Sequence, residues 1–416
     1  MSYLQNSAKL PAHIPRIDVL RAYAIIMVFA IHFASHVFGL VLWNGLFRDY
    51  VHSGPYVNYG LVPFTCGWAG VALFFVISGF CIHYGFLLRK DESLHAGDFF
   101  WRRFARLYPA YFISLVTFVI VDYIQDLSLV TTWGIVSHIF LIHNFFANNF
   151  TSINGVYWSL GVECQFYLLY PLLLLIRRKY SLSFCLVISL ATNMVCYIVF
   201  IWLSPNSGSH MDVYRGFPFM IWCDWILGAC VAEAFVTGKR CFRHEKFFFH
   251  ISLGLFLLAI NFKPLIGEAF LFASVTFAII LQEYIGVQEP LNWREKCLIP
   301  VGLVSYSFYL WHGLFISPMQ NLIHHFLGVS EQSIGMLLLA YLPLNFLAIF
   351  LFSILSYYVL EIGPRRFLLR HPFGKEPRSK LRGISEVAVD HRATMQNDPR
   401  PAIADYPPEP KQVSGN

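Results

Sequence analysis

An arginine and a histidine eleven residues apart, Arg21 and His32, stand within one apolar run of this chain. On a helix, eleven steps of about 100° return to nearly the same face, about 16 Å further along. Asp18, three residues before Arg21, and His36, four after His32, fall close to that stripe. A polar stripe on an otherwise apolar helix lines a cavity or faces a polar partner; the plainer reading is an arginine reaching the interface and a lone core histidine. Glu163, Asp224 and His312 stand in three further apolar runs. Away from water, a histidine beside a carboxylate can accept a proton from a hydroxyl and later return it. The carboxylate of Glu163 could orient such an imidazole and stabilise its charged form. The chain has no GxSxG elbow, no HExxH and no carboxylate cluster, so a histidine base acting directly is favoured over a serine nucleophile, and no metal is expected. The nine cysteines show no CxxC pair and read as buried, inert thiols.

A second group is basic. Arg102, Arg103 and Arg106 lie in DFFWRRFARLYPAY, with Arg102 and Arg106 on one helix face. Three guanidiniums at a membrane mouth suit phosphate groups. Basic residues at an inner interface are equally ordinary anchors of topology.

The elements that must position these residues follow from composition. Of 416 residues, 57% are hydrophobic, 18% aromatic and only 13% charged, where soluble proteins carry about 25%. That excludes a disordered chain, a fibrous repeat and an ordinary cytosolic enzyme, and points to an all-α, polytopic membrane protein. The net charge of +6 is not clustered on one face as nucleic-acid binding requires. Runs long enough to cross a bilayer fall at 17–43, 61–88, 109–126, 157–176, 182–203, 217–237, 247–261, 267–284, 299–320 and 335–360. A shorter run at 133–147 contains His138, His143 and Asn144. Leaving it uncrossed puts every Lys and Arg except Arg48, Arg215 and Lys263 on the side of the N-terminus. The expectation is therefore ten helices with both termini cytoplasmic: an N-terminus over 1–16, a membrane domain over 17–362, and a largely disordered tail over 363–416. No cleavable signal peptide is visible. Counting about 1.5 Å per residue from the span ends brings His32, Glu163, Asp224 and His312 into one layer towards the outer leaflet.

The motifs LRAYAIIMVFAIH, GVALFFVISGF, RRFARLYPAY, GVYWSLGVECQFYLLYP and VSYSFYLWH occur in this order between about residues 16 and 315. Together they resemble the acyltransferase 3 family of membrane acyltransferases. The resemblance implies transfer of an acyl group, most often acetyl, from cytoplasmic acyl-CoA to a hydroxyl on an extracytoplasmic acceptor. By matching position it makes His32 the catalytic base and Glu163 a residue of the active centre. It makes Arg21 a ligand for the CoA phosphates, and Arg102, Arg103 and Arg106 holders of the nucleotide end. Asp18, His36, Asp224 and His312 remain candidates without an assigned role. Acyl-CoA would be a co-substrate, with no permanently bound cofactor. The expected acceptor is a carbohydrate or glycolipid of the cell surface, reached from a multi-pass location in the inner membrane, directly or through a separate extracytoplasmic partner protein. Ten helices with midmembrane His, Glu and Asp would also suit a proton-coupled transporter of a small solute.

Overall fold

The computed structural model describes residues 10–38, 66–89, 94–126, 130–203, 216–327 and 341–370, all within one compact unit, Met1–Phe373. It is all-α, with no strand among the described residues. The helices are α1 (Pro15–Phe38), α2 (Ala69–Leu87), α3 (Ala96–Ile124), α4 (Thr132–Ile139), α5 (Tyr157–Lys179), α6 (Leu182–Leu203) and α7 (Pro218–Val236). They continue with α8 (Glu245–Asn261), α9 (Ala269–Gly286), α10 (Trp293–Leu303), α11 (Ser305–Leu327), α12 (Leu342–Ser356) and α13 (Gly363–Arg370). A π-helical turn, Tyr357–Ile362, joins the last two.

Among the described residues, eight helices are long and apolar enough to cross a membrane, or nine if α10 and α11 form one broken span. The remaining expected span, at 247–261, is α8, whose 17 residues reach about 26 Å against a hydrocarbon core of about 30 Å. The run at 133–147 folds back as α4 and two short 3₁₀ turns, His143–Phe145 and Ala147–Asn149. Its polar residues His138, His143 and Asn144 are buried against protein.

Three expectations are corrected. The span expected at 109–126 begins earlier, at Ala96, and runs through Pro109 in one helix, so Arg102, Arg103 and Arg106 stand on the span's own helix. Proline is tolerated within membrane helices because neighbouring groups satisfy the freed backbone. The span expected at 299–320 is two helices bent by 72° across Val304. Its first half is pressed on α1: a Cβ at Gly302 would lie 1.8 Å from the Asp18 carbonyl oxygen. Finally, 363–370 is helical and not the start of a loose tail. It packs on α3, where the indole N–H of Trp101 donates to the Leu368 carbonyl at 3.1 Å. Beyond residue 370 the expected tail lies outside the described residues.

The core is the crossing of α2 with α7, with α1 and α9 packed against it. Two glycines let the backbones meet there. A Cβ at Gly79 would lie 1.9 Å from the Trp225 carbonyl oxygen, and one at Gly228 1.9 Å from that of Val76. Small residues at such a crossing are what membrane helices use to pack closely. Towards one end of the crossing, His83 lies 3.1 Å from the Tyr170 hydroxyl and 3.4 Å from Glu233, tying α2, α5 and α7. Gly228→Leu is expected to force α2 from α7 and cost about 1–3 kcal/mol or more. Gly254→Leu, where no atom lies within 4 Å of the added Cβ, should cost little. Melting of the two variants in detergent checks this; equal midpoints would contradict the crossing.

Candidate active site

α1 carries the first pair of residues. Arg21 donates from Nη1 to Asp18 Oδ1 at 3.1 Å and from Nη2 to Cys81 Sγ at 3.5 Å. Asp18 is almost wholly buried and also lies 2.7 Å from His13 Nε2. That hydrogen bond holds His13, which precedes the helix, above its ordinary value. Asp18 therefore fixes the guanidinium and does not face the chemistry itself. His36, one turn beyond His32, is exposed.

His32 meets His312. Their ring centroids lie 5.0 Å apart with the planes at 49°. The break at Val304 turns α11 so that Tyr306, Tyr309 and His312 form an inward stripe at three-residue spacing. His312 Nδ1 donates to the Tyr309 carbonyl at 2.9 Å. A neutral ring then carries its lone pair on Nε2, which is buried and without a hydrogen-bond partner. Tyr309 is itself fixed by its hydroxyl, 2.6 Å from Ser159 Oγ and donating to the Val156 carbonyl at 2.9 Å. His32 keeps part of its surface accessible.

Glu163 sits at the neighbouring wall. Its Oε1 accepts from Ser78 Oγ at 2.8 Å and from the Tyr167 hydroxyl at 2.5 Å. Ser78 in turn accepts from the Trp225 indole at 3.3 Å, so the α2–α7 crossing reaches the carboxylate through one hydroxyl. The Arg103 guanidinium lies 5.7 Å from the Tyr167 ring centroid and 5.6 Å from that of Phe99. Arg21 and Arg103 both feel the field of Glu163. The expected arrangement, a carboxylate orienting the catalytic imidazole, is not what the described contacts show. Glu163 has hydroxyl partners, and the neighbour of His32 is a second histidine.

Asp224 is fully buried but belongs to another cluster, where Cys223 Sγ donates to its Oδ1 at 3.5 Å and Oδ2 has no hydrogen-bond partner. Among the described contacts none joins it to His32, His312 or Glu163. Depth along a span sets height but not the side to which a residue points, and Asp224 shares the height alone. Arg102 pairs with Asp98 one turn earlier, whereas Arg103 and Arg106 have no ion-pair partner among the described residues.

Tyr167, Ser78, Tyr309 and Cys81 were not singled out from the sequence. Tyr167 had a signal, since it stands four residues from Glu163 on the same helix face. Tyr309 had one as well, three residues before His312 on its helix, whereas Ser78 and Cys81 had none, because their partners lie on other helices. The assembled site offers two adjoining imidazoles that can accept and pass a proton. It adds a carboxylate held by two hydroxyls and, on the α1 stripe, an arginine about 16 Å away.

With that geometry in place, comparison with known proteins is informative. The acyltransferase domain of the acyltransferase 3 type matches residues 14–361, and the chain belongs to this family. It is 25% identical over 394 residues to the peptidoglycan O-acetyltransferase OatA of Listeria monocytogenes, covering 85% of this chain and 56% of the relative. It is 25% identical over 268 residues to a provisionally named acetyltransferase of Acidianus two-tailed virus, covering 64% of this chain and 78% of the relative. A provisionally named O-acetyltransferase of Staphylococcus aureus (strain COL) is 28% identical over 293 residues, covering 61% and 46%. The chain thus spans about half the length of these bacterial relatives. No solved structure matches it.

Proposed function

We propose that this family member is a multi-pass O-acetyltransferase of the inner membrane that moves an acetyl group from cytoplasmic acetyl-CoA to a hydroxyl of an extracytoplasmic carbohydrate. One observation carries the reading: His32 and His312 adjoin, and the same helix face that bears His32 bears Arg21. About 16 Å is of the order needed for an extended CoA arm whose phosphates rest at Arg21 and whose thioester reaches His32.

In this mechanism His32 takes the acceptor's hydroxyl proton as the oxygen attacks the thioester carbonyl. The carbon–sulfur bond breaks, and the departing CoA thiolate takes the proton from His32. The cycle needs no net proton and no oxidant. His312, whose Nδ1–H is held by the Tyr309 carbonyl, keeps an acceptor nitrogen within a ring that adjoins His32, and steadies the imidazolium as it forms. Glu163, with Tyr167 and Arg103, shapes the wall along which the donor passes.

Support for an acetyl donor and a glycan acceptor comes from the names of the relatives, one a peptidoglycan O-acetyltransferase. The acceptor is acylated directly or through a separate extracytoplasmic partner.

Proteoliposomes carrying the full chain would be given acetyl-labelled acetyl-CoA outside and cell-wall glycan or lipopolysaccharide inside, and the reverse. Label is expected on the glycan as a hydroxylamine-labile ester. Label on neither glycan nor protein, together with dissipation of an imposed solute gradient, would establish a proton-coupled transporter instead.

A further inference from the structure

Residues at the end of the last transmembrane span bring a further cation to the site. The π-helical turn Tyr357–Ile362 shifts the register before α13, and such turns often mark functional positions. It buries Glu361, whose Oε1 accepts from Ser307 Oγ at 2.5 Å. α13, continuing the same span, packs along α3, where Trp101 holds the Leu368 carbonyl. Arg365, exposed on α13, thereby enters the field of Arg106 and Arg103.

Three guanidiniums then share one mouth with no direct ion pair among the described residues. Arg103, Arg106 and Arg365 form no ion pair among the described residues, and Arg103 Nε is buried with no hydrogen-bond partner. The carboxylates in their field are committed elsewhere: Glu361 to Ser307, and Glu163 to Ser78 and Tyr167. Arg102, which the sequence grouped with Arg103 and Arg106, is already neutralised by Asp98. Three guanidiniums held close together with no carboxylate in direct contact leave N–H groups to offer to an anion. Planar guanidiniums with several free N–H groups suit the oxygens of phosphate. The family match ends at residue 361, so Arg365 lies beyond it.

We propose that Arg365 of α13 completes, with Arg103 and Arg106, a phosphate-binding site at the inner mouth of the bundle, which receives the phosphate at the nucleotide end of the acyl donor. The proposal rests on the acyl-CoA reading above, but its test does not require turnover.

The full chain in nanodiscs of neutral lipid would be titrated with CoA and with dephospho-CoA, for the parent protein, Arg365→Gln, Arg365→Lys and Arg366→Gln. Arg365→Gln should weaken CoA binding about tenfold or more, Arg365→Lys less, and Arg366→Gln little. Nanodiscs containing phosphatidylglycerol form a second arm. If CoA affinity is unchanged but stabilisation by phosphatidylglycerol is lost in Arg365→Gln, the phosphate is a lipid headgroup's; the site stands and the donor assignment falls. In the parent protein, CoA or phosphatidylglycerol should also shield Arg365 from phenylglyoxal, a measurement that needs no variant to fold. Parent-like binding of both phosphates by Arg365→Gln, or no shielding by either, overturns the proposal. CoA binding that depends on Arg365 in a protein that transfers no acetyl group would instead refute the enzymatic reading while leaving the site intact.

Discussion

Replacing His32 by alanine is expected to reduce acetyl transfer by about two to four orders of magnitude, the contribution of a positioned general base. The expectation rests on geometry. His32 is partly accessible, stands on the Arg21 face of α1, and has only one imidazole neighbour among the described ring contacts. Removing it takes away the proton acceptor but leaves the Arg21–Asp18 and Arg21–Cys81 contacts that would hold the donor. The loss should therefore appear in kcat, with KM for acetyl-CoA near the parent value. His312→Gln should have a smaller effect on kcat, since it acts on His32 and not on substrate. Protein level and melting must stay near those of the parent. A His32→Ala protein with parent-like turnover would remove His32 from the chemistry and with it the mechanism proposed above.

Acid should unfold the segment around α4 before the membrane bundle. His138 and His143 are fully buried, with ring centroids 3.8 Å apart and planes within 10°. Of their four ring nitrogens only His138 Nδ1 has a hydrogen bond, donating to the Gly134 carbonyl at 2.7 Å. Around the rings stand Tyr157, whose ring lies 6.0 Å from His138, and the backbone of Gly161 on α5. No charged side chain contacts either ring among the described residues. Burial, with no counter-charge, pushes His138 down to about 4 and His143 to about 3 from an ordinary 6.5.

The sign follows directly. Below pH 6.5 the unfolded chain binds protons that the folded pair refuses, so stability falls with pH between 6.5 and about 4. Each unit of separation is worth about 1.4 kcal/mol for each histidine. Above 6.5 both states are neutral and the pair contributes no pH dependence. Consequences would reach the site, because this segment is joined to α11: Asn154 donates to the Leu310 carbonyl at 3.2 Å, and the Tyr309 hydroxyl to that of Val156. Melting temperature is expected to drop steeply from pH 6.5 to 4 in the parent, and less so in His143→Phe. Parallel curves for the two proteins would show that the pair does not set the acid response.

Much of this molecule is legible in one dimension. Hydropathy leads to an all-α membrane bundle, and the placement of Lys and Arg leads to leaving 133–147 uncrossed. The eleven-residue spacing of Arg21 and His32 puts both on one face because helix geometry is local and regular. The ion pair of Arg102 with Asp98 was equally open to reading, since four residues separate them on one helix.

What only the tertiary structure decided is which groups at a shared depth meet. Distance along a span gives a residue's height in the membrane, while its partners depend on how each helix is rotated and crossed against the next. Those settings come from contacts far apart in sequence: Gly79 and Gly228 at the α2–α7 crossing, and Gly302 against the backbone of α1 before the bend. They pair His32 with His312, give Glu163 to Ser78 and Tyr167, and leave Asp224 in a cluster of its own. The packing of α13 on α3, which brings Arg365 into the field of Arg106, has no periodic signature in the sequence, because contact with a neighbouring helix determines it.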